Sequence, residues 1–164
     1  MNEPKRQWSL REQVGDDPAY SQPTRETYLN LVRTHAALNG EVTQLLQRHG
    51  LTEPLYNILR TLLQAGSEGA SHGMLGKRMI ARDPDITRLV DRLEKKGWAQ
   101  RQRSSRDRRV VQVVLTDEGR AKIDQVEPIY QELLDRLLGH LSAERLALLD
   151  AVLSDLRYPL TAAS

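Results

Sequence analysis

The chain has 164 residues, a length that suits one compact domain or two small lobes that share helices. It contains no cysteine, which excludes disulfides, thiolate metal sites and cysteine-based redox sensing. Apolar residues make up 39% of the chain and aromatic residues only 4%, with no phenylalanine, so leucine must fill most of the interior. This composition favours packed helices over a β-sandwich.

The N-terminal segment, residues 1–22, mixes charges, prolines and glycine without any period. We expect it to form an irregular arm. It lacks the apolar core of a signal peptide, and no apolar run in the chain approaches the length of a membrane-spanning helix. The sequence therefore predicts a cytoplasmic protein without a membrane partner.

Apolar residues then recur at steps of three and four, which predicts amphipathic helices. The last helix of the first half has the clearest start, because Asp83 is a good N-cap residue and Pro84 suits the first helical position. Glycine at position 97 ends it. The four helices are predicted over 24–49, 53–65, 71–80 and 83–96.

The pattern changes after Gly97. Residues 98–103 and 110–115 are predicted to be short strands, the second rich in β-branched residues, and the polar residues between them form a turn. Two further helices follow, over 116–138 and from Ser142 to Leu156, and Pro128 is expected to kink or locally break the first of them. The apolar stripe of the last helix is predicted to be Leu146, Leu149, Val152, Leu153 and Leu156.

Positive charge is concentrated in the middle of the chain. Twelve lysines and arginines and five acidic residues lie between Lys77 and Arg109, which gives this segment a net charge of +7. Because the whole chain carries +2, the remainder carries −5. A basic block on an acidic body is typical of a polyanion-binding protein, although charge runs also form ordinary solvated faces.

The fourth predicted helix has the properties of a helix that reads DNA, since a major groove is wide enough to hold one α-helix. Its outward side carries Thr87, Arg88 and Arg92. The two arginines are four residues apart and share a face, from which each can bind guanine, while the threonine can meet a thymine methyl group or a phosphate. Asp85 can contact cytosine or orient an arginine, but compensation of the helix dipole is the favoured role.

The predicted hairpin supplies a second basic element. A two-stranded hairpin cannot bury so many guanidinium groups, so they are expected to face solvent or phosphate, and a narrow minor groove favours inserted arginine. Asp107 can hold a neighbouring arginine in place. The alternative is a solvated loop without a partner. The crowded arginines are Arg101, Arg103, Arg106, Arg108 and Arg109.

Several of these residues together resemble the MarR family of bacterial regulators. The resemblance lies in the stretch from Asp85 to Gly97 and in a wing signature, Asp-x-Arg, five residues and Leu-Thr, which Asp107, Arg109 and Leu115-Thr116 match. Gly119 follows at the family's position. The resemblance implies a homodimer whose N- and C-terminal helices intertwine, with each subunit placing one winged helix on half of a pseudo-palindrome.

The fold class implied is mainly α: a winged helix-turn-helix with a two-stranded β-wing and long N- and C-terminal dimerisation helices. The dimerisation region is expected to comprise residues 23–50 and 116–160, and the DNA-binding lobe residues 51–115. Thr87, Arg88 and Arg92 of the helix and Arg106, Arg108 and Arg109 of the wing are the expected contacts to double-stranded DNA, with Asp107 orienting the wing.

The function implied is that of a sequence-specific transcriptional regulator, a repressor that releases DNA when it binds a small phenolic or aromatic acid. Tyr28, His35, Tyr56 and Arg60 could line the effector crevice or could simply be packing and surface residues. No catalytic constellation, cofactor fingerprint or metal-ligand spacing is found, so neither an enzyme nor a metal site is expected. The alternative is a winged-helix module for protein interaction or dimerisation that does not contact DNA.

Overall fold

The computed structural model describes residues 22–80, 85–103 and 110–161, and in these the chain is mainly α-helical with one antiparallel sheet. The predicted order of four helices, a hairpin and two helices is confirmed, and so is the fold class. Except for Gln22, the predicted N-terminal arm lies outside the described residues. The elements are α1 (Pro23–Arg48), α2 (Glu53–Ala65), α3 (His72–Arg78), α4 (Ile86–Lys95), β1 (Ala99–Arg103), β2 (Val111–Leu115), α5 (Asp117–Leu138) and α6 (Ala143–Thr161).

The chain divides into two compact units, one ending at Gly50 and the other beginning at Leu51. The first contains α1, which starts at a proline, as the fixed φ of proline favours, and is followed by Gly50 with a φ of 70°. Along its first half α1 exposes apolar side chains, among them Tyr28 and Val32. The predicted division into a dimerisation region and a DNA-binding lobe stays a prediction.

Helix α2 is at the centre of the second unit, where it contacts α3, α4, α5 and β2. Four of its side chains, Leu55, Ile58, Leu59 and Leu62, are fully buried. Their spacing of three, one and three residues puts them on one face of the helix. Complete burial of each such side chain stabilises the fold by about 1.5–3 kcal/mol. This core carries the elements that surround it.

The sheet pairs β1 with β2 in a register that runs from Ala99 opposite Leu115 to Arg103 opposite Val111. A further bridge joins Ala70, just before α3, to Val113, with two backbone hydrogen bonds of 2.9 Å. Gly69 makes this approach possible, because its φ is 69° and a Cβ there would overlap the carbonyl oxygen of Val113. The hairpin is thereby tied to the start of α3.

Helix α5 continues through Pro128 as one helix, so of the predicted kink or local break the break is wrong, and the kink stays a prediction. Proline removes the hydrogen bond to the carbonyl of Asp124, and because both residues are exposed, water can replace that bond. On its other side the helix packs against α2 and buries Ile123, Val126 and Leu133.

Helix α6 exposes much of its predicted apolar stripe in a single chain. Leu149, Val152 and Leu156 are exposed by 43%, 54% and 48%. Leu146 and Leu153 are half-buried. The predicted apolar spacing is present, and the face that it produces is largely exposed at the residues whose exposure is described. None of the helices in the described ranges is long and apolar enough to cross a membrane.

Candidate DNA interface

Helix α4 is fixed to the second unit by its apolar side. Val90 and Leu93 are fully buried, which anchors the helix by about 1.5–3 kcal/mol for each side chain. The helix begins at Ile86, and Asp85 is its N-cap residue, with a carboxylate oxygen that accepts from the Arg88 N–H at 3.1 Å. The predicted start at Asp83 is therefore wrong by two residues. The Asp85 carboxylate thus lies at the first turn, where backbone N–H groups have no partner within the helix. This position agrees with the role favoured from the sequence, compensation of the helix dipole.

The opposite side of α4 is exposed and basic. Thr87, Arg88 and Arg92 all face solvent, and the side chain of Arg88 is 85% exposed. Its Nε lies 3.1 Å from Asp85, so the capping carboxylate also holds the guanidinium near the start of the helix. An ion pair this exposed adds little stability, but it limits the directions in which Arg88 points. The three residues predicted to read DNA are thus available on one accessible surface.

Arg101 of β1, which the sequence groups with the wing arginines, points towards α4. Its guanidinium pairs with Asp91 at 2.7 Å and with Glu94, and its side chain is only 28% exposed. The expectation that the hairpin arginines all face outward is therefore wrong at this position. Strand alternation places Arg101 on the same face as Ala99, but only the packing of β1 on α4 makes this face the inward one.

The electrostatics of this cluster keep the arginine charged. Burial alone would lower the pKa of Arg101, but the hydrogen bond that Arg101 donates to Asp91 and the negative charges of Glu94 and Asp91 outweigh burial and raise the pKa above its usual value. The guanidinium of Arg101 therefore stays positively charged beside its two carboxylate partners.

The wing tip carries four of the predicted site residues. Arg106, Asp107, Arg108 and Arg109 lie outside the described residues, so their predicted roles stay predictions. The strands pair as far as Arg103 and Val111, and both of these residues are exposed.

The base of the wing is a tight junction with α5. Thr116 is the N-cap residue of α5: its hydroxyl donates to the Gly97 carbonyl at 2.6 Å and accepts from the Gly119 N–H at 3.0 Å. Its own N–H donates to the carbonyl of Trp98 at 3.2 Å. A Cβ at Gly119 would overlap that carbonyl oxygen. The Leu-Thr and glycine positions of the wing signature therefore hold the hairpin on α5.

A cleft of about 380 Å³ lies within the second unit, between α2, the end of α3 and α5. Its lining includes Tyr56 and Arg60, two of the four residues predicted to meet an effector. The other two, Tyr28 and His35, lie on α1 in the first unit and stay predictions. The full lining is Tyr56, Asn57, Arg60, Thr61, Gln64, Arg78, Ile80 and Tyr130.

Sequence reasoning missed the carboxylate beside this cleft. Tyr56 donates to Glu127 at 2.6 Å, Arg60 pairs with the same carboxylate at 3.0 Å, and the rings of Tyr56 and Tyr130 are 4.7 Å apart. Burial, with the hydrogen bond and charge of Glu127, raises the pKa of Tyr56, and burial also raises the pKa of Tyr130. Both hydroxyls stay protonated near neutral pH and can donate hydrogen bonds.

A buried helical core, a helix with an exposed basic face and a following two-stranded hairpin define the winged helix-turn-helix class of DNA-binding proteins. The family model described as MarR matches residues 51–111. The transcriptional regulator TtmR of Methylorubrum extorquens is 31% identical over 146 residues, which are 89% of this chain and 73% of that protein. The chain belongs to the MarR family and is a transcriptional regulator of that family.

Solved structures agree with this assignment. The crystal structure of a MarR transcription factor from Planctomyces limnophilus is 34% identical, with a TM-score of 0.63 over 82% of this chain and 97% of that one. A MarR family regulator from Streptomyces coelicolor, crystallised in complex with DNA, shares the fold with a TM-score of 0.75 at 22% identity, over 85% of this chain and 92% of the other.

Proposed function

We propose that this regulator binds a pseudo-palindromic operator as a homodimer and represses transcription until a small molecule releases it. The observation that carries the proposal is the exposed face of α4 with Thr87, Arg88 and Arg92, held in place by the buried Val90 and Leu93. A rigid helix of this kind fits a major groove, and its arginines match the acceptor pair of guanine. The structural similarity to the Streptomyces coelicolor regulator, which was crystallised in complex with DNA, supports double-stranded DNA as the partner. A protein that binds chromosomal DNA would be located in the cytoplasm.

Homodimerisation is supported by uncovered apolar surface. Helix α6 exposes Leu148, Leu149, Val152 and Leu156, and α1 exposes Tyr28, Leu31 and Val32. Contiguous exposed apolar faces on long helices are typical of surfaces that a partner covers. A second copy is the simplest partner, because most soluble oligomers are symmetric dimers of one chain. A dimer would also present two α4 helices to two half-sites.

Selection of bound sequences from a random DNA pool tests this function. We expect a palindromic consensus whose half-sites are about 10 base pairs apart, one helical turn, as two-fold symmetry requires. Affinity should fall steeply with salt, with a slope of about −0.9 for each phosphate neutralised. Absence of binding even at low salt would instead favour a protein-interaction module with the same fold.

Replacing Arg88 by alanine should relax the base preference of the protein. One bidentate arginine–guanine contact is worth about 1–3 kcal/mol of discrimination, so preference at one position per half-site should fall by about 5- to 150-fold. The measurement is a second selection from the same pool. Arg33→Ala, at an exposed arginine on α1, is the control and should leave the consensus unchanged. If Arg88→Ala selects the same consensus as the parent protein, the face of α4 that carries Arg88 does not read bases.

Replacing both Arg108 and Arg109 by alanine should weaken DNA binding without disturbing the fold or the dimer. If one of the two enters the minor groove in each subunit, a dimer loses about two phosphate-neutralising charges and the salt slope becomes about 2 units shallower. A filter-binding titration over a range of salt measures this slope, and circular dichroism checks the fold. A slope equal to that of the parent protein would exclude the wing tip from the interface.

Relief by a ligand is supported by the cleft beside α3. Two tyrosine rings, Tyr56 and Tyr130, give it an aromatic wall, and Arg60 and Arg78 contribute guanidinium groups. Arg60 is already paired with Glu127, so an acidic ligand would have to share that arginine or bind Arg78. Because Ile80 and Arg78 lie at the end of α3, a ligand in the cleft can shift α3 and α4 away from the positions that fit DNA. A panel of phenols and aromatic acids, scored by thermal stabilisation of the protein and by release of operator DNA, tests this step.

A further inference from the structure

The α4–β1 clamp, which we define as Arg101 with Asp91 and Glu94, joins the recognition helix α4 to the wing. Besides its two ion pairs, Arg101 donates its backbone N–H to Glu94 at 2.8 Å, and its guanidinium reaches the carbonyl of Thr87 at 3.5 Å. Asp91 and Glu94 are three residues apart and share one side of α4, while Thr87 contributes only its backbone carbonyl. A single strand residue is thus held by two turns of the helix.

We propose that Arg101 is a positioning residue for DNA binding: through this clamp it fixes the angle between the wing and the recognition helix, so that both meet one duplex in register. The inference rests on the proposed DNA-binding function and adds to it a residue that touches no base or phosphate. Its role is to fix the angle between the wing and α4 before DNA binds, so that binding does not pay the entropy cost of ordering the wing.

The distances involved show why the angle matters. From Ala99 to Arg103 the strand extends by about 13 Å, at about 3.3 Å per residue. A rotation of about 10° at the base of the strand therefore moves its far end by about 2 Å, which is enough to break a hydrogen bond. The clamp acts midway along this lever, whereas the junction at Thr116 and Gly119 fixes only its base.

The charges of the clamp exclude a direct role for Arg101 in neutralising phosphate. Its side chain is only 28% exposed, and two carboxylates of α4 balance and exceed its charge. The clamp as a whole therefore carries a net charge of −1, which by itself repels DNA. Removing the two carboxylate charges should strengthen DNA binding if only electrostatics matter, and should weaken it if the clamp positions the wing.

The double variant Asp91→Asn/Glu94→Gln makes this test. We expect affinity for the selected operator to fall about tenfold at physiological salt. The salt slope should become shallower by about 1 to 2 units, because a wing that is no longer positioned neutralises fewer phosphates. Hydroxyl-radical footprinting should lose protection in the minor grooves flanking each half-site while major-groove contacts persist. Loss of stability alone would lower the active fraction but would change neither the slope nor the footprint pattern.

The control is Glu132→Gln/Asp135→Asn, which removes two exposed carboxylates at the same spacing on α5 and should not weaken binding. Arg101→Lys is the milder companion, because an ammonium keeps the charge but lacks the fork that spans two carboxylates, and it should show part of the same change. Equal or tighter binding with an unchanged slope and footprint in both clamp variants would overturn the inference. If the parent protein itself selects no DNA, the proposed function fails instead, and that outcome is seen before any variant is measured.

Discussion

Replacing Gly119 by alanine is expected to lower the free energy of unfolding by about 3 kcal/mol or more, one of the largest effects available from a single methyl group. A Cβ at this position would overlap the Trp98 carbonyl oxygen and would lie 2.8 Å from the carbonyl carbon and 2.9 Å from Leu115. The obstacle is backbone, which cannot move aside as the end of a flexible side chain can. The carbonyl also accepts from Thr116, so a shift would break the hydrogen bond that fixes the wing.

Urea unfolding at equal protein concentration measures this effect, and equal concentration matters because dissociation of the proposed dimer would couple to unfolding. Gly73→Ala is the matched control, since it makes the same chemical change in a helix of the same unit where the new Cβ meets only ordinary contact with Ser71 at 4.0 Å. It should be neutral or stabilising by up to about 1 kcal/mol. If the two variants unfold alike, the close approach at Gly119 is not what requires glycine there.

The elements of this protein follow from local rules, which is why the sequence predicts them well. Helix α3 begins where Ser71 predicts it, because the serine side chain accepts from the Met74 N–H at 3.2 Å. Helix α5 begins at the predicted Thr116 for the same reason. The error at α4 arises because two aspartates, at positions 83 and 85, both suit an N-cap, and nothing local decides between them.

The parts of the site that the sequence could not predict depend on contacts between distant residues. Tyr56 and Glu127 are 71 positions apart, and only the packing of α2 on α5 brings them together. Arg101 lies nearer to its partners, but its inward direction depends on which face of β1 packs against α4. Residue type alone groups Arg101 with the predicted phosphate-facing arginines, whereas tertiary packing pairs it with Asp91 and Glu94.

Exposed apolar residues on α6 provide the sharpest test of assembly. If the protein forms the proposed dimer, replacing Leu149 and Val152 by arginine should convert it to a monomer, because the dimer would have to bury four guanidinium groups without partners. In a single chain both side chains are about half exposed, so the monomer itself should remain folded. Analytical ultracentrifugation measures the assembly state, and circular dichroism measures the fold.

The same variant should lose about 10²- to 10⁴-fold in affinity for a full operator, because the second half-site is then no longer engaged within one complex. Binding to an isolated half-site should barely change, since α4 and the wing are untouched. Ala147→Arg/Ser154→Arg introduces the same two charges on the opposite, exposed side of α6 and should preserve both the dimer and the affinity. A monomer that still binds the full operator as tightly as the parent protein would separate DNA recognition from dimerisation, and the exposed stripe of α6 would then need another partner.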